Sequence, residues 1–292
     1  MGVYFIVNPI AGGGRAKEFI KKAEPILRAK GLPFTIGYTQ YPRHAEELAR
    51  QVDYNTYSKV VSVGGDGTLN EVINGLDLER GVLGVIPAGS GNDLIKSLDV
   101  PEDPFQALEV VLAGREQRID LGYVNQKRFI NVAGIGLDVE VLLETERLRK
   151  VIKGKIAYIL GVFKALINFK GNEVELVIDN RVFRENLMLC AIGNGQFIGG
   201  GMRILPDADL EDGLLDVCLV KKMPKLRLLY FFPRVFKGAH IGLPEVVLVR
   251  GSQVTIKKPD QPLINVDGEI LQGTTPTFRL DHRALRILVS KA

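Results

Sequence analysis

The N-terminal part of the chain alternates short, wholly apolar runs with longer stretches whose apolar residues recur at helical spacing. Val3–Val7 reads as a buried strand, and Arg15 to Lys30 as a helix with Phe19, Ile20, Ala23, Ile26 and Leu27 on one face. Gly31 closes that helix, and Pro25 inside it predicts a kink. The alternation continues with a strand at Pro33–Thr39 and a Pro-initiated helix at Pro42–Val52, with Leu48 and Val52 on one face. Ser58–Val63, rich in β-branched residues, is a third strand; Thr68 opens a helix over Leu69–Asn74, which Gly75 stops. Val82–Ile86 is a further strand, followed by helical runs at Leu94–Leu98 and Pro104–Ala113.

From about Arg115 the pattern changes. Strand-like runs dominate: Gln117–Val124, Arg128–Val132, Val174–Ile178, Leu187–Ile192, Leu214–Val220, Val246–Val249 and Gln253–Ile256, with Ala284–Val289 last. Helical stretches at Leu137–Arg149 and Ala157–Phe169 interrupt them. The fold class expected is α/β plus mostly-β. An open parallel α/β domain over residues 1–122 would precede a β-rich, sandwich-like domain over 123–283, with the site in the cleft between them.

Three glycine-rich turns fall at carboxyl ends of the predicted parallel strands, where open sheets bind ligands. The central one is Gly64-Gly65-Asp66-Gly67-Thr68, between a strand and a helix N-terminus. Glycines admit a bulky anion to the backbone, and the free N–H groups and dipole of the helix favour it. Asp66 would repel a phosphate, so its partner is expected to be the metal that accompanies a nucleotide, or a ribose hydroxyl. The first turn, Asn8-Pro9-Ile10-Ala11-Gly12-Gly13-Gly14, is neither a GxxxxGK[ST] loop nor a full GxGxxG. The third is Pro87-Ala88-Gly89-Ser90-Gly91-Asn92-Asp93, where Ser90 is placed to meet a ligand and Asp93 to cap the next helix.

Two acidic constellations lie in the second half. The loop from Pro206 to Val217 carries Asp207, Asp209, Glu211, Asp212 and Asp216 around Gly213. Its spacing is not that of an EF-hand, and it reads either as a hard-cation site or as a solvated acidic turn. Asn265-Val266-Asp267-Gly268-Glu269 sets two carboxylates about a glycine, as a base for an alcohol or as a β-turn.

Taken together, GGDGTLNEV, the N-P-x-A-G turn, P-x-G-S-x-N-D, the P-x-A-x-x-x-D-G-x-L loop and D-G-E resemble the diacylglycerol kinase catalytic family, which includes soluble bacterial lipid kinases and is related to sphingosine and ceramide kinases. The match runs over nearly the whole chain. The resemblance implies ATP contacts from Asn8, Pro9, Ile10, Ala11 and Gly12, from Thr39, from Gly64, Gly65, Asp66, Gly67, Thr68, Leu69 and Asn70, and from Ser90. Ala11 stands where the family often has Ser, which leaves backbone contacts there. It further implies a structural Mg²⁺ held by Asp212 and by backbone oxygens of Asp209 and Leu214. Asp267 and Glu269 become the catalytic acid/base pair, with Asp66 serving the metal–nucleotide unit. The C-terminal residues 284–292 are expected to return to the first domain, leaving 123–283 as the lipid-substrate domain.

The expected activity is ATP- and Mg²⁺-dependent phosphorylation of a hydroxyl on diacylglycerol or a related long-chain lipid. An NAD kinase-like phosphotransferase shares the first motif, but the T-G-S-T-A-Y segment of those enzymes is missing: Thr274-Thr275-Pro276-Thr277-Phe278 lacks its glycine and serine. A nucleotide- and lipid-binding regulator without turnover is a further alternative, disfavoured by an intact Asp66, Asp267 and Glu269.

Composition narrows the partners. A net charge of +4 over 292 residues does not call for nucleic acid. Cys190 and Cys218 sit in apolar runs and read as buried thiols of a reducing, cytoplasmic compartment. Met1-Gly2 leads straight into a strand, with no signal-peptide pattern, and Ile156–Ile167 is too short to span a bilayer. The lipid is therefore expected to be taken from a membrane surface by peripheral contact, and a homodimer is left open. Pro224 to Gly242, which mixes aromatics with Lys225, Arg227, Arg234 and Lys237, reads either as the interfacial segment or as a helix packing its aromatic face.

Overall fold

The computed structural model describes residues 2–149, 151–152, 155–272 and 275–291. Thr274, which belongs to the segment compared with NAD kinases, and Met1 lie outside the described residues. The first half is the expected βα alternation: β1 (Gly2–Val7), α1 (Arg15–Ala29), β2 (Phe34–Tyr38), α2 (His44–Arg50), β3 (Tyr57–Gly64), α3 (Asp66–Gly75), β4 (Val82–Pro87) and α4 (Pro104–Ala113). β2, β1, β3 and β4 pair in parallel in that order. Both faces of the central strands are covered, which is why Val3–Val7 shows no apolar–polar alternation and Val60, Val61 and Val63 are buried together with the small Ser62.

α1 runs through Pro25 as one element, with its apolar stripe buried. The helix expected at Pro42 starts only at His44, because Arg43 takes a left-handed φ of 68°. Leu94–Ser97 is a single 3₁₀ turn.

β5 (Arg115–Val124) carries the chain onward to β6 (Lys127–Phe129) and β7 (Val132–Gly136), two strands where one run was expected. The interruption at Ile130-Asn131 turns three backbone N–H groups onto Asp267. Then come α5 (Leu137–Arg149), α6 (Lys155–Asn168), β8 (Asn172–Ile178), β9 (Arg181–Gly193), the short pair β10 (Phe197–Ile198) and β11 (Met202–Arg203), and β12 (Leu215–Lys221). α7 (Lys225–Phe231) passes into a 3₁₀ stretch, Phe232–Lys237, before β13 (Val246–Gly251), β14 (Gln253–Lys258), β15 (Leu263–Val266), β16 (Glu269–Gln272) and β17 (Thr277–Val289).

β9 and β12 show period-two burial of both sheet faces. Leu215, Val217 and Leu219 enter a core with Cys190 and Ile192, whereas Cys218 and Val220 face the opposite way, with Met188 and Ala191. The two cysteines thus belong to different layers and remain free thiols. α5, α6 and α7 cover that second face.

β17 is longer than the expected final strand and links the two halves. Phe278 is in the second core; Leu285, Ile287, Leu288 and Val289 are in the first, and Ile287 pairs in parallel with Leu83 of β4. β5 runs antiparallel beside it, and its residues change core between Leu121 and Val124.

Candidate functional site

The three glycine turns meet at the carboxyl ends of β1, β3 and β4. They are locked backbone to backbone. A Cβ on Gly12, whose φ is +59°, would lie 2.1 Å from the carbonyl oxygen of Ala88, and one on Gly89 would lie 2.3 Å from Cα of Gly65. Arg15 donates to the carbonyls of Gly12 and Gly89, and Asn8 Nδ2 donates to Thr68 Oγ1 at 3.1 Å. Gly65 is the N-cap of α3 without a side-chain cap, so the first N–H groups of that helix are left for a ligand. Ile10 is 80% exposed at the tip of the first turn, and Ser90 is exposed on the third. Thr39 follows β2 and donates its N–H to Val7. These candidate nucleotide residues therefore share one edge of the sheet. We expect Gly12→Ala to raise KM for ATP by at least ~10-fold, because a left-handed position and a 2.1 Å approach both forbid the methyl; an unchanged KM would remove this turn from the nucleotide site.

Asp66 has a second duty that its motif does not reveal. Its Oδ2 accepts from Asn92 N and its Oδ1 from Asp93 N, each at 2.8 Å, so the carboxylate fastens the third turn to the second. Burial, then the charge of Asp93, raises its pKa. Asp93 occupies the N-cap position expected for it, but its side chain does not cap. Instead its Oδ2 accepts from Gly200 N at 2.7 Å, and its Oδ1 pairs with Lys96 at 2.8 Å. The Phe197–Gly201 turn is thereby tied to the glycine loops. Asp66→Ala is expected to abolish turnover while far-UV circular dichroism stays unchanged; wild-type rates in the folded variant would refute a role for it.

A cavity of about 250 Å³ opens from these loops into the layer between the sheet and α5, α6 and α7. One end is polar, with Asp66, Asp93, Asp138, Asp267, Asn131 and Asn265. The rest is mostly apolar, lined by side chains such as Leu142, Val162, Leu166, Met188, Phe231 and Val235, with Tyr158 and His240 the polar exceptions.

The carboxylates at the polar end differ in hydrogen bonding. Asp267, held at a φ of 48°, accepts four N–H groups: Ile130 N (2.8 Å) and Asn70 Nδ2 (3.0 Å) on Oδ2, and Asn131 N (3.1 Å) and Val132 N (3.0 Å) on Oδ1. It joins α3 to the β6–β7 turn. Burial nevertheless raises its pKa to about 6 against the pull of those donors. Asp138, in the first turn of α5, is the opposite case. Both its oxygens are out of solvent and meet no donor at hydrogen-bond geometry among the described residues, although Asn265 and Val139 N lie close enough to temper the shift. Burial raises its pKa to about 7. The sequence offered no cue to Asp138, since G-L-D-V reads as an ordinary helix start. Glu269 pairs with Lys127 at 3.0 Å and does not line the cavity.

The acidic loop forms a different arrangement. Asp212 Oδ1 accepts from Leu214 N at 2.9 Å, and its Oδ2 lies 3.7 Å from Arg250 Nη1. Asp209 Oδ1 accepts from Glu211 N at 2.9 Å. Gly213 N donates to the wholly buried Asp120, which also takes His282 Nδ1 and Arg283 N. Among the described residues no three His, Cys, Asp or Glu converge as a metal site. The ligands expected for Mg²⁺ there, the Asp212 carboxylate and backbone oxygens of Asp209 and Leu214, are not a set of that kind; Arg250 shares the Asp212 carboxylate, and nothing catalytic is routed through the loop.

The segment from Pro224 to Gly242 divides. Leu228 is buried, Phe231 and Phe232 are half-buried against the cavity, and Leu226, Tyr230 and Phe236 are exposed.

Two family models match the chain: the diacylglycerol kinase catalytic domain over residues 2–124, and the YegS C-terminal NAD kinase beta sandwich-like domain over 131–289. The chain is 30% identical over 267 residues to a diacylglycerol kinase of Bacillus subtilis (strain 168), covering 90% of this chain and 88% of that protein. It is 32% identical over 270 residues to a diacylglycerol kinase of Staphylococcus carnosus (strain TM300), covering 90% and 87%. The crystal structure of a diacylglycerol kinase from Bacillus anthracis str. Sterne superimposes with a TM-score of 0.76 at 22% identity, over 99% of this chain and 97% of that one. That match bears on the fold.

Proposed function

Because the chain belongs to the diacylglycerol kinase catalytic family, we propose that it transfers the terminal phosphoryl group of ATP, accompanied by Mg²⁺, to a hydroxyl of diacylglycerol or a related long-chain lipid. The observation that carries this reading is the polarity of the cavity: carboxylates at the end beside the glycine loops, apolar side chains along the rest. A volume of about 250 Å³ suits part of an acyl chain whose head group stays at the loops.

The parts divide the work as phosphoryl transfer requires, mostly by positioning and charge. The glycine turns and the N-terminus of α3 cradle the phosphates, and Ile10 offers an apolar surface to the base. Mg²⁺ bound with the nucleotide would supply neutralisation of charge on the transferring phosphates. Asp267 and Asp66 hold the loops in register through the N–H groups they accept. Asp138 lines the cavity wall with both oxygens packed out of solvent and without donors at hydrogen-bond geometry, and, once reached by the acceptor hydroxyl of a bound lipid, it takes that proton as the new P–O bond forms and ADP leaves.

Radiolabelled ATP supplied with a panel of diacylglycerol, sphingosine, total lipid extract and NAD tests the proposal. Label is expected in the organic phase with diacylglycerol or the extract. Label on NAD alone would instead establish the nucleotide kinase alternative, and ATP binding without transfer to any acceptor would contradict the proposal.

A further inference from the structure

The apolar part of the cavity has two polar exceptions, Tyr158 and His240, and they differ in what they can offer a ligand. His240 Nε2 lies 3.0 Å from the Ile204 carbonyl oxygen and must carry the ring proton to bond it. Its Nδ1, out of solvent and unpartnered among the described residues, is then only an acceptor. Burial lowers the pKa of this ring and favours its neutral form. Tyr158 is half-buried, and its hydroxyl meets no hydrogen-bond partner among the described residues. Burial, then the charge of Asp93, raises its pKa to about 12, so it keeps its proton and stands as a donor. Tyr158, Val162 and Leu166 line the cavity at i, i+4 and i+8 of α6, one stripe along about 12 Å of helix. The phenol is at the end of that stripe nearest the glycine loops. A Cβ on Gly199 would run into its oxygen, and the next residue, Gly200, donates its N–H to Asp93 at 2.7 Å.

We propose that the Tyr158 hydroxyl donates to an ester carbonyl of the bound lipid, so that the site selects acyl esters of glycerol over alkyl ethers. The proposal rests on the lipid-kinase reading and adds to it the group by which the site tells one long-chain alcohol from another. An ester next to the reacting hydroxyl brings a carbonyl oxygen to the boundary between the polar and apolar parts of the cavity. Left without a donor there, that oxygen is costly to bury. The carboxylates of Asp66, Asp93, Asp138 and Asp267 cannot supply one when ionised, and neither can His240 Nδ1. Asn131 and Asn265 carry amide donors, but both stand beside carboxylates, Asn131 in the turn that serves Asp267 and Asn265 close to Asp138. Tyr158 combines a free O–H with a ring in the apolar wall, and the acyl chain beyond the ester then runs along Val162 and Leu166. An ether oxygen in the same place is a weaker acceptor and gains little from the phenol.

Dioctanoylglycerol and the dioctyl diether of glycerol, alike in chain length and in their free primary hydroxyl, test this with ATP as donor. The wild type is expected to favour the ester by about 10-fold or more in kcat/KM. The preference should lie chiefly in KM, because the ester carbonyl is not the reacting group. Tyr158→Phe keeps the ring and removes only the donor, so the ester-to-ether ratio should fall by about 10-fold, to near one. A purely structural role would lower kcat/KM for both lipids and keep the ratio. Such a parallel loss, or an ester preference that survives in the folded variant, would overturn the proposal and leave the kinase reading intact. The wild type decides independently of the variant's folding, since a ratio near one in the native protein would also overturn the proposal alone. Turnover of neither lipid by a wild type that binds ATP would overturn the kinase reading and the proposal with it.

Discussion

Asp138→Asn is expected to raise the melting temperature at pH 8 by a few degrees and, in the same protein, to lower kcat by about 10²–10⁴-fold. The opposite signs follow from a carboxylate buried with no donor at full hydrogen-bond geometry, where Asn265 and Val139 N offset only part of the cost of burial. Its pKa in the folded protein is about 7, against 3.8 for an unperturbed Asp. Below the lower value the group is neutral in both folded and unfolded chains and costs nothing. Between the two values the folded chain holds a proton that the unfolded chain has released, so stability falls as the pH rises through that window. Above pH 7 the whole penalty stands, on the order of 4 kcal/mol by linkage. An amide carries no charge, so the gain from the substitution should be largest at pH 8 and shrink as the pH is lowered toward 4. The rate behaves otherwise, because only the ionised carboxylate can take the hydroxyl proton. In the wild type kcat should rise through about pH 7, and the variant should lose that dependence together with its activity. Thermal melts at several pH values and a pH–rate profile check both halves. A variant with normal kcat would exclude Asp138 as proton acceptor, and a lowered melting temperature at pH 8 would show that the carboxylate has partners after all.

For Asp267→Asn both quantities are expected to fall. Four N–H groups converge on this carboxylate, and an Asn side chain must turn its own NH₂ against two of them. Two buried donors left facing a donor destabilise by roughly 2–4 kcal/mol. The loss also frees Asn70 of α3 from the Ile130–Val132 turn, so the glycine loops and the cavity lose their common anchor and kcat should drop by about 10²-fold or more. Asp267 thus acts as a positioning residue, through the backbone it holds. Urea unfolding and steady-state kinetics on the same preparation measure the two effects. Undiminished stability would mean that the four-donor arrangement does not persist in solution. Glu269→Gln provides the comparison: its one ion pair with Lys127 is partly exposed, and losing it should move stability by less than about 1 kcal/mol. A large fall in kcat there would return the base role to Glu269.

Much of the architecture was legible because hydrophobic period and turn chemistry are local. Runs such as Val60–Val63 can only be buried on both faces, and the helices at Leu137–Arg149 and Pro104–Ala113 begin and end where their apolar spacing does. The glycine motifs were equally local, since a close backbone approach or a left-handed φ requires glycine whatever surrounds it. The division of Arg128–Val132 into two strands was not legible, because the interruption exists to point amides at a carboxylate more than a hundred residues away in the chain.

The roles of the carboxylates belong to the same class. By itself the sequence determined which turns could cradle phosphate, that an α/β half precedes a β-rich half, and that acids gather near Asp267. Only the tertiary structure decided that Asp66 and Asp267 spend their lone pairs on N–H groups of other turns and of Asn70, that Asp93 reaches Gly200 in place of capping its own turn, and that Asp138 is buried in the cavity wall with no donor at hydrogen-bond geometry. It also decided which apolar residues of α6 and α7 face inward and which face water. The physical reason is range. Burial of a run follows from neighbours three or four residues away, whereas a carboxylate's proton affinity depends on the donors and the solvent that distant strands bring to it or exclude.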